Sequence, residues 1–140
     1  MVKLGIIGMS DGNGHPYSWS AIINGYDSDY MNDCPFPLIP KYLAERNFPE
    51  DSLCEIGVVN SIWTQEKRTS EHISKAAFIE NVCENINDLV NYSDAVLLAR
   101  DDDENHLEMA RFFLGEGVPI FVDKPFSTSV HHAIQMLDLQ

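Results

Sequence analysis

A doubly wound α/β domain, with a mostly parallel sheet and helices on both faces, is the fold class this chain predicts, and three observations predict it. Strand-like apolar runs and helix-like periodic segments alternate along all 140 residues. Two of those runs, Asp94 to Ala99 (DAVLLA) and Pro119 to Val122 (PIFV), are continuously apolar, as parallel strands covered on both faces must be. A glycine-rich turn from Gly8 to Gly14 follows the first run directly.

The elements follow in order. Lys3 to Gly8 (KLGIIG) reads as the first strand, the turn after it as a loop, and Trp19 to Ile23 as part of a helix. Asp27 to Ser52 holds four prolines (Pro35, Pro37, Pro40, Pro49) and reads as an irregular surface excursion around a short helical candidate at Lys41 to Arg46. Glu55 to Trp63 is β-branched and apolar, hence a second strand, and Ser70 begins a helix with apolar residues at helical spacing up to Phe78. Val82 and Cys83 suggest a brief strand, and Asn87 to Asn91 a helical turn with Asn87 as its cap. After DAVLLA, a helix runs from about Asp103 to Gly115 with Leu107, Ala110, Phe113 and Leu114 on one stripe, and Gly117 stops it. PIFV then leads through Asp123-Lys124-Pro125 into a last helix from Ser129.

Composition narrows the function classes. The length suits one ordinary domain, and 44% hydrophobic with 22% charged residues is the balance of a globular chain. A formal charge of −13, from 9 basic and 22 acidic residues, repels nucleic-acid backbones and anionic lipid. No apolar stretch approaches membrane-spanning length, and the first residues run into a strand without a basic leader, so the chain reads as cytoplasmic. Cys34, Cys54 and Cys83 form no CxxC pair, which speaks against a zinc site or a disulfide framework; no metal site is expected. Self-association into a homo-oligomer is left open.

In open α/β sheets ligands bind beyond the carboxyl ends of the strands. The residues that matter are therefore those immediately after Gly8, Trp63, Ala99 and Val122. Counted from Gly8, the glycine positions of a dinucleotide fingerprint fall on Gly8, Ser10 and Asn13, with Gly12 and Gly14 beside them; a phosphate-facing turn and a merely flexible one fit equally well. After Ala99, Asp102, Asp103 and Glu104 suit the positive end of a helix dipole, while His106 is either a satisfied edge residue or part of a site. Lys124, between a buried strand and a proline, is placed either to exchange protons with a substrate hydroxyl or to sit as a solvated turn residue.

Three features together resemble the glucose-fructose oxidoreductase, inositol dehydrogenase and MocA (Gfo/Idh/MocA) family of NAD(P)-dependent oxidoreductases: LGIIG entering the glycine-rich turn, DAVLLA with NHLEMA and then GEGVPIFV, and DKP. The last is similar to that family's Glu-Lys-Pro motif, with Asp123 for Glu. The resemblance implies a Rossmann-like fold and NAD or NADP as cofactor. It implies that Lys124 is catalytic, touching the nicotinamide ribose and the reacting hydroxyl, with Asp123 and Pro125 shaping the cleft, and that Gly8, Ser10, Asp11, Gly12, Asn13, Gly14 and His15 face the pyrophosphate. Asp101 and His106 would lie on the nicotinamide side, although Asp101, Asp102 and Asp103 stand where the family has Thr-Pro-Asn-like residues. Glu66 stands beyond the second strand but no acid marks its tip unambiguously, so Trp63 stacking on adenine or packed in the core, Thr64 beside it, and Lys67 or Arg68 meeting a 2′-phosphate are the expectations there.

Family enzymes continue into a second α/β domain that carries the substrate site. Residues 1–140 are therefore expected to be the dinucleotide-binding, N-terminal part of a longer enzyme that moves a hydride between nicotinamide and a carbinol carbon of a sugar, polyol or nucleotide sugar. Two alternatives stand beside this: a non-catalytic NAD(P)-binding regulatory module, and a phosphoacceptor receiver domain. The receiver needs an acidic pair after the first strand, where only Asp11 is found.

Overall fold

A computed structural model describes residues 1–139 of the chain; Gln140, the last residue of the expected domain, lies outside them. Five strands, β1 (Val2–Ile7), β2 (Gly57–Trp63), β3 (Asn81–Val82), β4 (Ala95–Leu98) and β5 (Ile120–Val122), form one sheet in the order β3-β2-β1-β4-β5. Every pairing is parallel. The order reverses at β1, between β2 and β4, which puts the topological switch point at the carboxyl ends of β1 and β4. A receiver domain has the other doubly wound order, 2-1-3-4-5, so the topology removes that alternative.

Side-chain alternation along the strands builds two cores. Ile6, Val59 and Ile62 face helices α1 (His15–Asn24) and α4 (Lys67–Ala76), where Tyr17, Ala21, Ile73 and Ala76 are buried against them. Ile7, Val96 and Leu98 face the other way, onto Leu89 of a 3-10 turn (Ile86–Asn91) and Phe113 of α5 (His106–Gly115). The last helix, α6 (Val130–Asp138), lies outside α5 through Met136. No helix among the described residues is long and apolar enough to cross a membrane.

The excursion differs from the sequence expectation. It holds two short helices, α2 (Ser28–Asn32) and α3 (Leu38–Leu43), in place of one at Lys41 to Arg46. Asp27 caps α2 by accepting the N–H groups of Asp29 and Tyr30. In α3, Pro40 sits in the first turn, where a missing N–H costs nothing, so the helix starts earlier than the prolines suggested. Met31, Ile39 and Leu43 anchor the excursion to the first core.

Three boundaries also move for physical reasons. α4 begins at Lys67 because Ser70 is not a cap: it is buried, and its hydroxyl holds Thr64. The 3-10 turn is capped by Asn85 with Asp88 in a reciprocal box, not by Asn87. The helix expected from Asp103 is a 3-10 turn over Asp103–Asn105 and becomes α-helical only at His106.

Candidate cofactor edge

At the carboxyl edge of the sheet the turn after β1 meets the turns after β2, β4 and β5. Gly8 cannot be replaced without movement, because a Cβ there would come within 2.5 Å of Pro16 Cγ in α1. Gly12 takes a positive φ of 75° at the open tip of the turn. Most of the turn's polar groups are already engaged. The Gln65 side-chain amide grips Met9 at both ends, accepting its N–H at 2.8 Å and donating to its carbonyl at 2.8 Å. The Asn13 N–H goes to the Ser10 carbonyl, the His15 N–H to Asn13 Oδ1, and the Tyr17 and Ser18 N–H groups to the Gly14 carbonyl. Pro16 has none to give. The backbone N–H groups of Ser10, Asp11, Gly12 and Gly14 have no partner among the described residues.

Asp123, at the end of β5, is the hub that joins two turns. It is 3% exposed, and its Oδ2 accepts from His15 Nδ1 at 2.5 Å and from Asn13 Nδ2 at 3.2 Å, while Oδ1 accepts the Lys124 N–H at 2.7 Å. Burial alone would push its carboxyl up, but these donors, the Lys124 N–H foremost and then His15 and Asn13, hold it below the usual carboxylate range. His15, the first residue of α1, also stacks on Trp19 with centroids 4.6 Å apart and planes 12° apart. Lys124 and Pro125 are exposed, and no ion pair engages the Lys124 ammonium among the described residues.

The turn after β4 is tied to the first through Ser10, whose hydroxyl donates to Asp101 and accepts the Asp101 N–H at 3.1 Å. Arg100, 5% exposed, makes a two-pronged pair with Asp102 through Nε, at 2.8 Å, and a terminal nitrogen. Burial works against the Asp102 carboxylate, but Arg100 and Asn105 hold its carboxyl below the ordinary range. Asp103 accepts the Thr128 N–H at 2.5 Å and its hydroxyl at 2.8 Å, which likewise lowers it. These acids are committed to named donors and do not act merely as a charge near the α5 dipole.

Several expected site residues are spent elsewhere. His106 is fully buried, its Nε2 3.0 Å from the Arg100 carbonyl and its Nδ1 3.2 Å from the Phe126 carbonyl, so its ring has no edge left for a cofactor. Thr64 is 4% exposed and its hydroxyl bonds the Glu66 carbonyl and Ser70. Asn13 is 4% exposed and serves His15 and Asp123. Trp63 is half-buried and packs against the second core that holds Ile7 and Cys83. Arg68 is exposed on α4, and Lys67 pairs with Glu84. Brought together at the edge are Gly8, Ser10, Asp11, Gly12, Gly14, His15, Asp101, Asp123, Lys124 and Pro125. Sequence reasoning missed the Gln65 clamp, for which a lone glutamine after a strand gives no signal.

Between residues 9–11 and 64–66 lies a hollow of about 260 Å³. A wider groove of about 790 Å³ runs along the excursion past Tyr26, Arg46 and Phe48, but it is remote from the strand ends. The switch-point edge, with free N–H groups on a glycine-rich turn, fits the phosphates of a dinucleotide.

Fold and edge together define a dinucleotide-binding α/β domain. Residues 39–140 match the model of an oxidoreductase family with an NAD-binding Rossmann fold, and the chain belongs to that family, Gfo/Idh/MocA. No curated protein matches its sequence. Among solved structures it resembles a Gfo/Idh/MocA family oxidoreductase from Vibrio cholerae (18% identity, TM-score 0.68, 99% of this chain and 35% of that one). It is also similar to myo-inositol 2-dehydrogenase from Lactobacillus plantarum (14%, TM-score 0.62, 99% and 32%). A third likeness is to UDP-N-acetylglucosamine 3-dehydrogenase from Acidithiobacillus ferrooxidans (12%, TM-score 0.65, 99% and 34%). The chain thus spans about a third of the length of these structures.

Proposed function

We propose that this chain is the cofactor-binding portion of a two-domain oxidoreductase that transfers a hydride between nicotinamide and a carbinol carbon of a sugar, polyol or nucleotide sugar. The observation that carries the reading is the joining of the glycine-rich turn and the Asp123-Lys124-Pro125 turn through one buried carboxylate at the switch-point edge. The substrate class leans on the inositol and nucleotide-sugar dehydrogenases among the similar structures.

In this reading the N–H groups of Ser10, Asp11, Gly12 and Gly14 bind pyrophosphate, and Gly8 allows α1 to close against the turn. Bound nicotinamide supplies the hydride chemistry. Lys124 Nζ meets the substrate oxygen, donating a hydrogen bond to it and exchanging the hydroxyl proton. Asp123 stays ionised and orients the turn that presents the lysine.

Titration calorimetry with NAD and NADP tests the reading on the chain itself. Saturable binding at or below millimolar concentration is the expected result, and no heat with either cofactor at that concentration would overturn it.

A further inference from the structure

We propose that His15 is a proton-linked anchor for the dinucleotide pyrophosphate: protonated and braced by Asp123, its ring supplies the positive charge that the amino end of α1 does not. This rests on the cofactor edge just described and goes further, in naming the group that meets the phosphates' charge and the variable that controls it.

The first argument is an accounting of donors. In a dinucleotide site the first turn of the helix after the glycine-rich loop offers free N–H groups to the phosphates. Here that turn has none to offer: the His15 N–H is held by Asn13, Pro16 lacks one, and those of Tyr17 and Ser18 return to Gly14. Only the loop's own N–H groups remain, and they carry no full charge.

The second is an accounting of charge. The ionisable groups of the turns that meet at His15 are Asp123, bonded to it, with Lys124 next in the β5 turn, Asp11 on its own loop, and Asp101 on the β4 turn, tied to that loop through Ser10. Three of these four are carboxylates. Arg100 is paired with Asp102, though one of its terminal nitrogens is buried without a partner among the described residues, and Lys67 pairs with Glu84 on the surface. With His15 neutral, the Asp123 carboxylate stands uncompensated beside an incoming pyrophosphate; with His15 protonated the pair is neutral and the ring still presents positive character. Like charges at such range cost binding energy, so the protonated form binds more tightly.

The third is geometric. His15 is fixed by Nδ1 on Asp123 at 2.5 Å, by its ring on Trp19 at 4.6 Å and by its N–H on Asn13 at 2.9 Å, while Nε2 has no partner among the described residues. Its side chain is 30% exposed, so Nε2 is open to a ligand and the ring loses little freedom on meeting one. Because linkage is reciprocal, the dinucleotide must also draw a proton onto the dyad.

The test is calorimetry with NAD from about pH 5 to pH 8, the window in which histidine changes charge. NAD is the probe because the extra phosphate of NADP titrates near pH 6 itself. The unmodified chain should bind about tenfold more tightly at the acid end, the scale of one partly solvated charge contact. Near neutrality the binding heat should depend on the buffer's ionisation enthalpy with the sign of proton uptake. His15→Gln should bind weakly with no pH dependence, and His15→Arg tightly with none. A flat profile for the unmodified chain, or an unchanged slope in His15→Gln shown by its melting to be folded, would overturn the anchor and leave the cofactor edge standing. Absence of NAD binding at every pH would overturn both.

Discussion

In the turn after β1 several groups are held from within the protein while four backbone N–H groups stay free: Met9 is gripped by Gln65, Ser10 by Asp101, and Asn13 by Asp123. In the turn after β5 only the carboxylate looks inward, and the residues that follow it, Lys124 and Pro125, are left exposed. The first turn is braced by several bonds made within the protein; the second hangs on one buried anchor that leaves its neighbour exposed. The difference teaches that a degraded glycine fingerprint need not mean a loose loop. Side-chain amides and hydroxyls have taken over positions that glycine alone would leave to solvent.

The largest expected effect separates the two turns outright. In the polypeptide that carries this domain, Lys124→Ala should lower turnover by about 100-fold, the scale of a lost general acid/base group, while the melting temperature stays put. A variant that melts early, or that keeps full turnover, would show the β5 turn to be structural like the β1 turn.

Asp123→Asn strikes the link between them. Its carboxyl is held low in the folded state, so it contributes stability that is present above the ordinary carboxylate pKa of about 3.9 and is lost as pH falls through the lower folded value. Replacing it should cost about 1–3 kcal/mol at neutral pH and flatten the loss of stability on acidification, with Asp102 and Asp103 keeping part of the slope. Urea unfolding at pH 7 and at about pH 3 reads both; an unaltered acid slope would mean the carboxylate is not the joint.

The last comparison, which ends on the smallest effect, is between two glycines of the same turn. Gly8→Ala must push on Pro16 from 2.5 Å and should cost about 1–3 kcal/mol. Gly12→Ala meets no atom within 4 Å and strains only the backbone, at about 1–2 kcal/mol. Thermal melts that reverse this order would place the tight contact at the tip and not at the strand end.

Much of this was legible beforehand, and the limits are instructive. A continuous apolar run marked β4, which lies inside the sheet with Leu97 packed on one face and Val96 and Leu98 on the other; β5 shares the pattern but not the expected burial, being the edge strand with Phe121 57% exposed. In the excursion the helix-start signal Asp27-Ser28-Asp29 is masked by the four prolines that follow, which is why α2 is absent from the sequence expectation. At the edge, the sequence shows which residues sit at strand ends but not which donors they have already used. That is why the sequence does not show that the His106 ring nitrogens, the Thr64 hydroxyl and the Asn13 side chain already have partners within the fold. Partners such as Gln65 on Met9, and His15 on Asp123, are separated by 56 and 108 positions and follow only from the folded sheet.

One contact binds the excursion's fate to the cofactor turn. A Cβ on Gly14 would lie 2.7 Å from Ile39 and 2.8 Å from Phe36, so the segment between α1 and β2 is seated directly on the loop. For anyone shortening or transplanting this scaffold, the two are a single cassette: removing residues 28–52 would unroof the turn, and moving the turn alone would carry away a hollow shaped for side chains that no longer arrive.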